Sequence, residues 1–331
     1  MLYAVQAVLL LLTAAACADD ERNTHFVTMQ LENDSFGENS DGYYTHGIEL
    51  SFLRGEDSPP VWLATLAEWM PLYINDSKPN LVNYVIGQKV FTPLDTKTTA
   101  LVADDRPYAG YLYATASVLS LIDHHENYDG GNMLDVTVGL VGPGALGEET
   151  QNTVHDILGY GRANGWEHQL QDEFVLDFVY SRFWRMVWPT IAGLEYGINP
   201  HISMALGSGQ TYGAAGVMFR LGDNLKRDLN PPNIRPGFPG VPYYQSVEGV
   251  DWYGFLGYEI RWIGRDIFLD GNTFVDSHRV EKEPWVGDMQ YGIAFVHRDI
   301  RLAISHMQRT REFKAQIEGS RYTAINVSFR Y

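Results

Sequence analysis

Past its first twenty residues this chain contains no apolar run of about 18 residues, yet short segments that alternate apolar and polar residues recur throughout. In "NMLDVTVGLVG", Leu134, Val136, Val138 and Leu140 share one parity, and Asp135, Thr137 and Gly139 the other. In "YTAINVSFRY", Thr323, Ile325, Val327, Phe329 and Tyr331 oppose Tyr322, Ala324, Asn326, Ser328 and Arg330. A period of two belongs to strands, whose successive side chains leave opposite faces of the pleat. Comparable runs lie near 25–33, 44–53, 82–92, 108–121, 173–184, 191–206, 212–221, 252–263, 288–297 and 300–309. That makes about a dozen strands, each near the ~9–11 residues a tilted transmembrane strand needs.

An all-β fold follows, and within it two architectures compete. In a transmembrane barrel the lipid-facing and lumen-facing residues alternate, so no strand need be apolar throughout. A soluble β-sandwich alternates as well. The 20 tyrosines and 8 tryptophans favour the barrel, because aromatic girdles mark both membrane interfaces. Tyr43, Tyr44, Trp166, Trp184, Trp188, Trp252, Trp262 and Trp285 stand near strand ends and are expected in those girdles. The expectation is a transmembrane antiparallel up-and-down β-barrel of about twelve strands, with a short helix in an extracellular loop.

The remaining segments set the boundaries. An apolar stretch from Ala7 to Leu12, then small residues ending Ala16-Cys17-Ala18, reads as a cleavable signal peptide over 1–18. A single barrel domain, 19–331, is expected after it. Cys17 is the only cysteine, so the mature chain offers neither a disulfide framework nor a thiolate metal site. The formal charge of −17 argues against a nucleic-acid partner, and nothing calls for a protein partner. "PPVWLATLAEWMPLY" (59–73) reads as a short helix after a proline pair. "NPPNIRPGFPGVPYY" (230–244) reads as a loop without regular structure.

One stretch breaks the alternation. In "TQNTVHDILGYGRANGWEHQL" (Thr150 to Leu170), Gln151 and His155 are four apart, which on a helix places them on one face. With the N-terminus periplasmic, strand parity sends the first three outward connections to the same side of the membrane. These hold Asn33 and Asp34; Asp104, Asp105 and Arg106; and Gln151 and His155. Asp34 is a hard oxygen ligand of the kind Ca²⁺ prefers. A neutral histidine beside such an ion can activate water to attack an ester, and no G-x-S-x-G elbow supplies a serine instead. From residue types alone the plainer reading prevails: "ENDS" is a turn and His155 a solvated helix residue.

A resemblance changes that balance. "LENDSFGENSDGYYTHGIELS", "GQKVFTPLD", "DDRPYAGYLY" and "VGPGALGEETQNTVHDILGYGRANGWEHQL" together resemble, in order and spacing, the outer-membrane lipid A 3′-O-deacylase (LpxR-like) family. The resemblance implies a twelve-stranded outer-membrane barrel that removes the 3′-linked acyloxyacyl chain of lipid A with Ca²⁺ as cofactor. It implies His155 as general base, Asn33, Asp34 and Thr45 around the metal and polar site, and Gln151 one helical turn before the base. It also implies that Lys97, in a polar loop, and Arg106 can meet the substrate, although for Arg106 with Asp105 a loop brace is the favoured reading. Trp166 and Gln169 are expected to pack the helix. The implied partner is lipid A, or lipopolysaccharide, in the outer leaflet. A phospholipase and a non-enzymatic barrel remain the rival functions.

Overall fold

The structure, a computed structural model, describes residues 25–34, 42–55, 59–70, 81–125, 128–190, 193–229, 234–235, 238–239 and 243–331. The expected signal peptide lies outside these residues. The strands are β1 (His25–Asn33), β2 (Tyr43–Gly55), β3 (Leu81–Thr92), β4 (Ala109–His125), β5 (Tyr128–Val141), β6 (Glu173–Pro189), β7 (Glu195–Gly207) and β8 (Gln210–Gly222). There follow β9 (Ile234–Arg235), β10 (Phe238–Pro239), β11 (Val247–Asp266), β12 (Trp285–Arg298), β13 (Ile300–Arg309) and β14 (Arg321–Arg330). All but β9 and β10 form one closed barrel, in which neighbours in sequence are neighbours in space and β14 returns to pair with β1. A single closed sheet has no free edge and excludes the two-sheet sandwich. Every alternating run named above coincides with a barrel strand.

Alternation does the sorting. On β1, Phe26, Thr28, Gln30 and Glu32 are buried inside while the intervening residues face out. Ile48, Phe52, Ile86, Leu112, Val138 and Leu176 carry the opposite parity and are exposed on the outer wall, the apolar band a bilayer requires. A one-residue slip in register would send each set to the wrong solvent.

Charged pairs fill the interior. Asp228 Oδ2 meets Arg301 Nε at 2.6 Å and accepts from the Tyr253 hydroxyl at 2.8 Å. Farther along the barrel, Asp288 lies 2.6 Å from Arg261 and 2.8 Å from Arg309, and Glu312 lies 3.2 Å from Arg309. Ions this deeply buried persist because each is paired.

His25, the first described residue, and Tyr331 lie at one rim, where they exchange backbone hydrogen bonds. The β1–β2, β3–β4 and β5–β6 connections therefore share the opposite rim. Helix α1 (Val61–Glu68) lies in the β2–β3 connection. It packs Leu63 and Ala67 on Val118 and Leu134 of the outer wall and exposes Val61, Trp62 and Trp69.

Two expectations need correction. The Pro/Gly segment is not wholly irregular: β9 and β10 pair as a two-residue ribbon, Phe238 with Arg235 and Pro239 with Ile234. The ribbon is short enough for a proline to sit at its edge. Three of the girdle aromatics are buried within the protein instead of standing on the wall. Tyr44 donates its hydroxyl to Glu32 inside the barrel, Tyr43 packs with Leu269 and Phe313, and Trp166 is buried. Trp252, Trp262 and Trp285 are exposed on the wall as a girdle requires.

Candidate active site on the barrel wall

Helix α2 (Gly147–Leu158) forms in the β5–β6 connection. Glu148 and Glu149 occupy its first turn, where the helix dipole favours negative charge. Gly159, at φ +77°, ends it in the left-handed conformation that glycine adopts without strain. Gly147, Gln151 and His155 recur every four residues and are buried, whereas Glu148, Glu149, Thr153 and Asp156 are exposed. The buried face is pressed on the barrel at a contact between two glycines. A Cβ on Gly147 would meet Gly110 Cα at 2.8 Å, and one on Gly110 would meet Gly147 N at 2.9 Å. Gly110 has the parity of exposed Leu112, so α2 lies against the outside of the wall rather than over the lumen. Gln88 Nε2 donates to Ala145 O at 2.6 Å, and Val90 packs with Tyr108, Ala163 and Trp166.

Outward residues of β2 and β3 lie beside α2, and β1 continues the wall next to them. Asn33 pairs with His46 in the β1–β2 register, and His46 shares the parity of Ile48 and Phe52. A bulge falls between Tyr44 and His46, so Thr45 is the extra residue. Bulges re-aim a side chain without ending the pairing. Here Thr45 Oγ1 lies 2.8 Å from Thr92 Oγ1. The Thr45 carbonyl accepts from Asn33 Nδ2 at 3.1 Å and from Asp34 N at 3.3 Å. Asp34 is buried, with Oδ2 accepting from Gly42 N at 2.8 Å. Asn33, Asp34 and Thr45 therefore form one hydrogen-bonded unit.

Two hydrogen bonds fix the chemistry of the helix face. His155 Nδ1 is 2.6 Å from Gly161 O, and a carbonyl only accepts, so Nδ1 carries the proton. In the neutral ring the basic lone pair is then on Nε2. Trp166 Nε1, a donor only, reaches Gln151 Oε1 at 3.0 Å. The Gln151 amide nitrogen is thereby turned the other way, a buried donor without a hydrogen-bond acceptor among the described residues. Donors without acceptors are costly when buried and are what an active site holds ready for developing negative charge.

His46 was not singled out by sequence reasoning. It lies close enough to His155 for charge on one imidazole to be felt at the other, and its Nε2 is buried without a hydrogen-bond partner among the described residues. The only sequence signal was its place directly after Thr45.

The two basic residues sit elsewhere. Lys97 is exposed beside a rim hollow of about 450 Å³ lined also by Asp95 and Asp105. Its loop is tied to the segment after α2 through Asn164, which donates to Lys97 O at 3.0 Å. Arg106 is not brought to the cluster. Its guanidinium lies over the Phe91 ring at 4.7 Å and pairs with Glu312 at 3.3 Å inside the barrel. Replacing it should act through stability: Arg106→Met is expected to cost about 3 kcal/mol, the scale of breaking a buried ion pair. A lowered temperature for loss of the compact gel form, without a change in KM, would register this.

Among the described residues no three His, Cys, Asp or Glu side chains cluster as metal ligands. The Asp34 carboxylate and Asn33 amide oxygen are nonetheless the hard donors a Ca²⁺ ion takes, and a partial set leaves room for water and substrate.

A family model and one solved structure agree with this architecture. The model of the family described as outer membrane protein LpxR matches residues 5–331. Among solved structures, LpxR from Salmonella typhimurium superposes with a TM-score of 0.75 at 18% identity, over 92% of this chain and 99% of that one. The β-domain of the Bordetella autotransporter BrkA gives a TM-score of 0.43 at 11% identity, over 93% and 98%. A comparison with curated protein sequences found no match. With a family model spanning nearly its whole length and a closed twelve-strand barrel to carry it, this chain belongs to the LpxR family of outer membrane proteins.

Proposed function

We propose that this protein is a Ca²⁺-dependent outer-membrane esterase that removes the 3′-linked acyloxyacyl chain from lipid A. The observation that carries the reading is the α2 face, where a buried histidine with a defined tautomer and a buried amide donor are clamped against the lipid-facing wall. A site there is open to lipid from the side. With the rim that holds His25 and Tyr331 periplasmic, the rim bearing α2 faces the outer leaflet.

His155 Nε2 takes a proton from water as the water oxygen attacks the ester carbonyl. The Gln151 Nε2 hydrogens stabilise the oxyanion of the tetrahedral adduct. Collapse of that adduct breaks the bond to the sugar oxygen, which takes the proton from His155 and leaves as the 3′-hydroxyl. The products are a carboxylic acid and the shortened lipid A. Asp34 and Asn33 would hold the cation, and the Thr45 carbonyl keeps both in place. When bound, Ca²⁺ supplies positive charge beside the developing oxyanion. Lys97 lies where a lipid A phosphate can approach from the rim, and Arg106 acts only through the loop it braces.

The test is incubation of the purified protein with lipid A and with phospholipid, in Ca²⁺ and in chelator, reading products by mass spectrometry. Loss of the 3′ acyloxyacyl group from lipid A is expected, falling about 100-fold on chelation or in Asp34→Asn. Acyl release from phospholipid alone would replace this reading with a phospholipase, and release from neither would leave a non-enzymatic barrel.

A further inference from the structure

A row of outward-facing residues crosses the barrel wall away from the α2 cluster. His46 pairs with Asn33, Asn33 with Thr323, Thr323 with His306, His306 with Tyr291, Tyr291 with Leu256, and Leu256 with Phe219. The first four are polar, and all four face the lipid side. Polar groups on that face are expensive. His306 is accommodated by Nδ1 lying 3.1 Å from Thr323 Oγ1, with the Tyr291 ring 5.3 Å from its own.

Where the polar residues stop, an open groove of about 580 Å³ begins on the wall, lined by Phe219, Leu256, Ile293 and Ile304, with His306 and Thr323 at its polar end. That size falls within the ~300–1,000 Å³ typical of small-ligand sites. Gly254 makes the space: a Cβ there would find only Gly292 O, at 3.8 Å. A glycine inside a strand often marks such a close approach by a ligand.

Strand tilt gives the row a direction. Asn33 ends β1 at the rim that bears α2, whereas Leu256 stands near the middle of β11. Each step to a neighbouring strand is about 4.8 Å, so the row descends from the rim into the hydrocarbon region as it leaves the α2 cluster.

We propose that this groove is an acyl-chain subsite, seating one hydrocarbon tail of the lipid whose ester is held between α2 and the wall. The inference rests on the esterase reading and extends it to how a flat barrel surface selects its substrate. The His46–Asn33–Thr323–His306 row lies under the polar part of the lipid, and the Gly254 groove takes the tail as it runs down the wall.

The test uses the full chain as His155→Ala, reconstituted in liposomes with lipid A carrying a diazirine in its acyl chains. Crosslinks are located by mass spectrometry. Segments 252–258, 289–295 and 302–308 should be labelled several-fold more than the wall of β5 and β6 around Val138 and Leu176. Adding Gly254→Leu, whose Cβ meets nothing closer than Gly292 O at 3.8 Å, should abolish that preference. Even labelling around the belt, or a preference that Gly254→Leu leaves intact, overturns the proposal. In the otherwise unchanged protein, Gly254→Leu should lower kcat/KM for lipid A about tenfold, the scale on which apolar pockets discriminate. The esterase reading fails separately, if the unaltered protein deacylates nothing, and the labelling result then still decides the groove.

Discussion

His155→Ala should reduce lipid A deacylation by about two orders of magnitude or more, the usual worth of a positioned general base, while the barrel remains closed. The separation of effects follows from location. His155 projects from α2, outside the sheet, and its Nδ1 is bonded to Gly161 O in the loop that follows the helix. Its loss leaves every strand pairing and every interior ion pair untouched. Far-UV circular dichroism and the heat-modifiable gel shift should match those of the unaltered protein. A variant retaining more than a tenth of the activity would remove His155 from the chemistry.

Gly147→Val should be nearly as damaging to activity, although Gly147 makes no contact with a reacting atom. A side chain at 147 has Gly110 Cα and the Trp166 ring both 2.8 Å from its first carbon. Neither can yield cheaply: Gly110 belongs to β4, and Trp166 is buried and holds Gln151 by its indole N–H. Helix α2 must therefore lift from the wall by an ångström or more. Misplacement on that scale in a catalytic constellation can cost about 100-fold. Because the change adds apolar volume outside the sheet, stability should fall far less than activity. Activity near that of the unaltered protein would show that α2 need not lie flush with β4.

The strands were legible because a period of two is written into residues that must sort between lipid and lumen. Their lengths were less so. β4, β6 and β11 run past the alternating core toward the rims, β4 as far as His125. The shared face of Gln151 and His155 followed from their spacing, since i and i+4 adjacency needs no tertiary information. Arg106 could not be placed in the same way, because its partner Glu312 lies in a connection more than half the chain away. His46 was illegible for a related reason. A lone histidine in a strand acquires meaning only once a bulge and an overlying helix surround it. The tyrosines at 43 and 44 were misassigned because composition reports how many aromatics exist, not which way each one points.

The seam where the last strand meets the first gives the molecule an order of assembly. Asn33 and His46 are made early, whereas Thr323 and His306 arrive only as synthesis finishes, and they become neighbours when β14 closes on β1. An incompletely inserted chain would carry the base and its amide donor on a surface missing the far half of its track. On the esterase reading, a chain caught short of its final hairpin would hold its base and amide donor without footing for the lipid, and activity should wait until the cylinder is whole.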